Sequence, residues 1–141
     1  MYTLIYCSDI VKYIQDLDIS SMLYAARKNN SEHKITGLLI YSNEHFFHII
    51  EGEEGAVKKC YELINRDRRH KNLKILLEKE ISERQFPGWS LGFKHIPDAE
   101  LNNHPLLAPF LKGESDASFS DELYDYLVSF RSEEECGEAF Y

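Results

Sequence analysis

Between Ile35 and Gly52 the chain reads ITGLLIYSNEHFFHIIEG, two apolar runs broken by the polar tip Ser42, Asn43 and Glu44. β-Branched and aromatic runs around such a break predict a β-hairpin. The period of two puts Phe46, His48 and Ile50 on one face and Phe47 and Ile49 on the other. Tyr2 to Ser8 predicts another strand, with Leu4 and Tyr6 opposite in face to Ile5 and Cys7. Helical spacing appears twice. Asp18, Ile19, Met22, Leu23, Ala26 and Asn30 predict a first helix, capped by Asp18 and ended by Asn29-Asn30. Val57, Cys60, Tyr61 and Ile64 predict a second, closing in the polar run Arg66, Asp67, Arg68, Arg69, His70. Leu73 to Ile81 then reads as a long strand, and Gly88 to Lys94 as a further one around Trp89 and Phe93.

The order β-α-β-β-α-β plus an added strand predicts an α+β, ferredoxin-like antiparallel sheet with both helices on one face. The opposite face needs cover. Pro97 to Lys112, with Leu106, Leu107, Phe110 and Leu111, and Asp121 to Arg131, with Leu123, Leu127 and Phe130, predict short helices folded onto that face or used in a dimer. The expected organisation is therefore a sheet domain over residues 1–96 and a helical extension over residues 97–141.

Composition narrows the class. With 141 residues, 43% of them hydrophobic, the chain suits one domain with a sizeable core. No apolar run approaches the roughly 18–20 residues of a membrane span, and the start MYTLIYCSDI lacks the flanks of a signal peptide. A cytoplasmic protein without membrane contact is expected. Cys7, Cys60 and Cys136 show no CxxC or other ligand spacing, which points to reduced thiols rather than disulfides or zinc. The net charge of −8 disfavours nucleic acid as a partner. The short basic run Arg66 to Lys71 still suits one small anion.

His48 is the residue out of place, an imidazole in an apolar hairpin. Tyr6, Asn30, His48 and Trp89 are expected to gather on the helix-covered face of the sheet. Each alone has a plain structural reading: hydrogen-bonded core for His48 and Tyr6, helix terminator for Asn30, simple core for Trp89. Together with the basic run they suit a planar aromatic ligand held between the two helices. An enzyme is not expected. His48 and Glu51 are three apart on a strand and face opposite ways, and no serine or cysteine nucleophile sits in a recognisable motif. A metal site is not expected either, since His45 and His48 also alternate and His70 closes the predicted second helix.

The motifs LIYCS (Leu4 to Ser8), ARKNN (Ala26 to Asn30), ITGLLIY (Ile35 to Tyr41), FFHIIEG (Phe46 to Gly52), DRRH (Asp67 to His70) and RQFPGWSLGF (Arg84 to Phe93) together resemble the BLUF domain, the flavin-binding blue-light sensor. The resemblance covers about residues 2 to 95, in order. It implies an isoalloxazine ring between the helices, with FAD as the cofactor and FMN or riboflavin as variants of it. By the same resemblance Tyr6 is the electron donor, Asn30 bonds the polar edge of the ring, and Asn29 and Ser8 stand beside it. Arg69 and His70 fall at the phosphate end, and Trp89 is the residue whose in or out placement is linked to signalling. A short sensor of this kind is expected to act through a protein partner and to self-associate, because Lys94 to Tyr141 leaves no room for an output enzyme.

Two positions depart from the pattern. His48 stands where the family has glutamine, and Leu91 where it has methionine. The amide bridges tyrosine and flavin and rearranges after excitation, whereas neutral imidazole has one donor and one acceptor on opposite sides of a rigid ring. Three outcomes are open: flavin binding without the usual red shift, an altered and pH-dependent photochemistry, or a light-insensitive interaction module that has lost flavin.

Overall fold

A computed structural model describes residues 1–11, 16–111 and 121–132. Strands β1 (Tyr2–Ile10), β2 (Thr36–Tyr41), β3 (His45–Gly52), β4 (His70–Glu80) and β5 (Gly92–His95) form one sheet in the order β4-β1-β3-β2-β5. Helix α1 (Asp16–Glu32) follows β1 and α2 (Glu54–Asn65) follows β3. The tail carries α3 (Asp98–Asn102), α4 (Ala108–Leu111), α5 (Asp121–Ser129) and a 3-10 turn at Phe130–Ser132. This is the expected α+β, ferredoxin-like plan. Cys136 and the segments 112–120 and 133–141 of the predicted extension lie outside the described residues.

β1 and β3 are central and covered on both faces, which is why both phases of each strand are apolar. One phase, with Leu4, Tyr6, Leu39, Phe46 and Ile50, packs under Leu23 of α1 and Val57 and Cys60 of α2. The other, with Ile5, Leu38, Ile40, Phe47 and Ile49, packs against Leu101, Leu107, Phe110, Leu123, Leu127 and Phe130 of the tail. The tail therefore covers the second face. Each such apolar side chain contributes about 1.5–3 kcal/mol of burial, so the tail is part of the core.

Several boundaries differ from the sequence reading, each for a local reason. β5 runs parallel to β2, making the sheet mixed rather than wholly antiparallel. The chain reaches that edge only after α2 and β4, a crossover long enough for a parallel pairing. Asp18 lies inside α1 and not at its cap, and α1 runs past Asn29-Asn30 to Glu32. The helix ends in a Schellman arrangement: Lys34 takes φ 56, the Ile35 amide donates to the Asn30 carbonyl at 2.8 Å, and Ile35 is buried. α2 stops at Asn65, so the basic run is a turn rather than a helix end, and His70 opens β4. Finally, β5 starts at Gly92, not Gly88. Phe86-Pro87-Gly88-Trp89 forms a tight turn, with Gly88 at φ 83 and the Trp89 amide donating to the Phe86 carbonyl at 3.1 Å, the signature of type II.

Candidate functional site

A cavity of about 240 Å³ opens between α1 and α2 above the helix-covered face of the sheet. Its floor is Tyr6, Leu39, Phe46, His48 and Leu91; α1 contributes Leu23, Ala26, Asn29 and Asn30, and α2 contributes Cys60, Leu63 and Ile64. Asp67, Arg69 and His70 close one end. The lining is mainly apolar with a few convergent polar groups, the usual composition of a small-molecule site.

Tyr6 and His48 are directly opposed in the β1–β3 register, so their side chains meet on one face. The Tyr6 hydroxyl lies 3.0 Å from His48 Nδ1. Burial pushes the Tyr6 phenol well above its ordinary range, so it keeps its proton. Burial, and secondarily the nearby His70, lowers His48 to about 3, so its ring is neutral. The Tyr6 hydroxyl has no other hydrogen-bond partner among the described residues, and a buried O–H is costly to leave unmade. It therefore donates to Nδ1. That fixes the proton of His48 on Nε2, the nitrogen left for the cavity.

His70 is held differently. Its Nε2 lies 2.7 Å from the Ile64 carbonyl and its Nδ1 2.8 Å from Ser8 Oγ. A carbonyl only accepts, so Nε2 carries the proton and Ser8 donates to Nδ1. Both His70 nitrogens are thus engaged by the protein; the ring walls the cavity, and Ser8 stands behind it as its anchor. Arg69 reaches the cavity end, where its Nε donates to both Asp67 oxygens at 2.9 and 3.0 Å. The guanidinium in turn holds the Asp67 carboxyl below its ordinary range. Asp67 is the neighbour that the sequence reading left out, although it lies only two residues from Arg69 in a turn that favours the contact.

Asn30 is buried and connects two regions. Its Nδ2 donates to the Ser90 carbonyl at 2.7 Å, while Oδ1 receives only a long contact from the Cys60 thiol at 3.9 Å. Its role is therefore more than helix termination. Asn29 lines the wall one residue earlier.

Trp89 does not join this group. Its ring packs in the core on the tail-covered face, 6.0 Å from Phe86, while Leu91, two residues on, lines the cavity. Gly92 is what admits the indole, since a Cβ there would meet the Trp89 ring at 2.2 Å. The sequence placed Trp89 in a strand by its apolar neighbours; the proline-glycine turn that redirects it was the overlooked signal. Arg27 was also missed. Its Nε donates to the Leu91 carbonyl at 3.2 Å and its guanidinium lies 5.0 Å over Phe93.

Glu51 points away from the cavity, as strand alternation requires. It is fully buried, accepting from Thr36 Oγ1 at 2.8 Å, the Phe86 amide at 2.7 Å and the Gln85 amide at 2.9 Å. Among the described residues no helix is long and apolar enough to cross a membrane.

Known proteins match this arrangement. A family model described as "Sensors of blue-light using FAD" covers residues 1–92. The blue light- and temperature-regulated antirepressor BluF of Escherichia coli K12 is 37% identical over 84 residues, which are 60% of this chain and 21% of that protein. The photoactivated adenylate cyclase subunit beta of Euglena longa is 33% identical over 90 residues, or 63% of this chain and 10% of that one. The matched region is thus a small part of these longer relatives. Among solved structures, BlsA in its photo-activated state superposes with a TM-score of 0.74 at 27% identity, covering 95% of this chain and 96% of that one. BlrB in its dark state gives 0.69 at 31% identity, with 91% and 92% covered. By the family match and by its fold, the chain belongs to the BLUF family of flavin-binding blue-light sensors.

Proposed function

We propose that the cavity holds the ring system of a flavin, FAD first and FMN or riboflavin as close alternatives, and that the protein reports blue light with a photochemistry reshaped by His48. The observation that carries this reading is the Tyr6–His48 pair, buried at 3.0 Å on the cavity floor. The residues present fit such a ligand. The slot is apolar, His48 Nε2 supplies one N–H for a ring nitrogen or carbonyl, and Asn30 Oδ1 supplies an acceptor for an imide N–H. Arg69 stands where the sugar and phosphate end would lie and Asn29 beside Asn30 at the polar edge of the ring, with Ser8 and His70 as supports of the wall. The bound flavin would supply the absorption of blue light and a one-electron acceptor.

Tyr6 is the donor of that electron, and its proton passes along the existing bond to His48 Nδ1. His48 then differs from an amide. Its donor and acceptor sit on opposite sides of a rigid ring tied to Tyr6, so rotation cannot exchange them. A flavin band without the family's usual reversible red shift follows. Titration is not the alternative route, because burial keeps this imidazole neutral far below neutral pH. An interaction module that has lost flavin is not supported: the cavity and its polar groups are in place.

Relatives named as photoactivated cyclases and as an antirepressor suggest that the signal passes to a protein partner. We place the output on the Trp89 side, where that residue packs with the tail. A self-associating cytoplasmic sensor, without nucleic-acid or membrane contact and without catalysis of its own, completes the proposal. The test is an absorption spectrum of purified protein, in darkness and after blue light, for the wild type and His48→Gln. Flavin bands that do not shift in the wild type, but shift reversibly to the red in His48→Gln, are expected. A normal shift in the wild type refutes the assigned role of His48; absence of flavin bands after addition of all three flavins refutes the whole reading.

A further inference from the structure

Tyr6 has a second aromatic neighbour that the site described above does not use. Its ring lies 5.5 Å from that of Tyr61 on α2 at an interplanar angle of 64°, an edge-to-face contact. Tyr6 is sealed in the core, whereas Tyr61 is only partly buried and packs at the rim of the same cluster. We infer that Tyr61 is a second redox residue, the outward step of a two-tyrosine path through which a soluble reductant, a small thiol or ascorbate, refills the electron that Tyr6 gives up in the light. The inference rests on the proposed flavin binding.

The path balances at each step. Tyr6 loses one electron to the light-excited ring and its hydroxyl proton to His48 Nδ1, leaving a neutral tyrosyl radical beside an imidazolium. Tyr61 then gives one electron to Tyr6, and the proton on His48 returns to the Tyr6 oxygen, restoring both groups. Tyr61 releases its own phenolic proton outward and becomes the neutral radical. The reductant finally supplies one electron and one proton to Tyr61. The net result is one electron moved from the reductant to the ligand.

Two features give the transfer its direction. The first is the contact itself, since the rings touch and no saturated chain need be crossed. The second is the cost of waiting at Tyr6. Its proton must sit on His48, where burial and the nearby His70 oppose positive charge. At Tyr61 the proton has better company: the carboxylate of Glu78 is close enough to raise the Tyr61 phenol, after burial. Glu78 is exposed and already accepts from the Tyr2 hydroxyl at 3.2 Å, so a proton delivered there reaches water. The same charge makes Tyr61 the easier site to hold a hole coupled to proton loss.

The experiment uses the full chain loaded with riboflavin and illuminated without oxygen in the presence of ascorbate, with a nitroso spin trap in a parallel sample. Two readouts are taken: bleaching of the long-wavelength flavin band, and mapping of trap adducts by peptide mass spectrometry. The wild type is expected to bleach and to carry its adduct on Tyr61. Tyr61→Phe is expected to lose that adduct and to bleach several-fold more slowly, while its flavin content and dark spectrum stay those of the wild type. Tyr6→Phe is expected to lose both signals. Unchanged bleaching in Tyr61→Phe, or adducts only on other tyrosines, overturns the exit path while leaving flavin binding intact. A protein without flavin bands overturns the parent reading and this one with it.

Discussion

Removing the Glu51 carboxylate should be among the most damaging single changes to this fold, although the residue touches no ligand. Glu51 is fully buried on the tail-covered face and accepts three hydrogen bonds, from Thr36 Oγ1 and from the amides of Gln85 and Phe86. Hydrogen bonds to a charged acceptor are worth about 1.5–3 kcal/mol each, and a buried donor left unpaired costs about 1–3 kcal/mol. Phe86 is itself fully buried, so its amide gains no ready substitute from solvent. Neighbouring terms do not add fully, and a net loss of about 3–5 kcal/mol is expected for Glu51→Ala. Glu51→Gln keeps the volume and one acceptor oxygen but aims an NH₂ at an amide donor, so about half that loss is expected, roughly 1.5–3 kcal/mol. Arg84 does not rescue either variant. Its guanidinium bonds, to Thr36 Oγ1 and to the carbonyls of Lys34 and Glu51, fasten the loop without offering an acceptor.

The assay is urea unfolding followed by tryptophan emission. Trp89 is the sole tryptophan of the sequence and sits at the end of the loop that Glu51 anchors, so one signal reports both stability and local packing. The midpoint should fall in the order wild type, Glu51→Gln, Glu51→Ala, with native-state emission moving to the red in the same order. A loss below about 1 kcal/mol in Glu51→Ala would refute the reasoning, because the amides would then have found another acceptor.

Other changes test the site from different sides. Tyr6→Phe leaves His48 Nδ1 unpaired in the core and is expected to cost about 1–2 kcal/mol in urea unfolding and to abolish any light-induced spectral change. His48 makes stability depend on pH with a definite sign: its folded value, about 3, lies below the ordinary 6.5, so the unfolded chain binds the extra proton between them. Stability present above pH 6.5 is therefore lost as pH falls toward 3, by at most about 1.4 kcal/mol per pH unit, and His48→Gln should flatten that slope in urea midpoints. Gly37→Ala would place a methyl 1.9 Å from the Ile49 carbonyl oxygen, so β2 must move away from β3; a loss above about 3 kcal/mol, or no soluble protein, is expected on expression and thermal melting.

How far the sequence could be read depended on the kind of signal. The hairpin and β1 were legible because strand alternation is strictly local: Phe46, His48 and Ile50 could be assigned to one face, and Tyr6 placed on its own, from period alone. Helix ends were less so. Asn29-Asn30 looked like a stop, yet α1 continues because the left-handed residue is Lys34, an unusual choice that composition does not flag. The site was legible as a set of positions but not as a set of partners. That Ser8 holds His70 and that Asn30 reaches Ser90 are facts of chain crossing over long sequence separations, whereas the Asp67–Arg69 and His70–Ile64 contacts are local and depend on the exact geometry of the turn after α2. Trp89 shows the limit best. Its apolar neighbourhood suited either face, and only the turn at Pro87-Gly88, with the space at Gly92, decides which.

The position of Trp89 also constrains how a change in the cavity can be felt beyond it. Trp89, Ser90 and Leu91 present three successive carbonyls, and each is taken by a different group: the Gly37 amide of β2 at 3.0 Å, the Asn30 side chain at 2.7 Å and Arg27 Nε at 3.2 Å. The first belongs to the sheet and the other two to α1. With every carbonyl fixed, this stretch cannot flex one residue at a time without leaving a polar group unpaired, so its cheapest displacement is a shift of the whole segment. Such a shift would move Leu91 on the cavity side and Trp89 among the tail helices together, because they are two residues apart on one short chain segment. Asn30 then holds a double position, lining the cavity while its Nδ2 is bonded to the segment. Asn30→Ala should therefore weaken flavin binding and alter Trp89 emission in the same variant. A change in binding with unaltered Trp89 emission would break this link and return the output question to the other elements of the sheet.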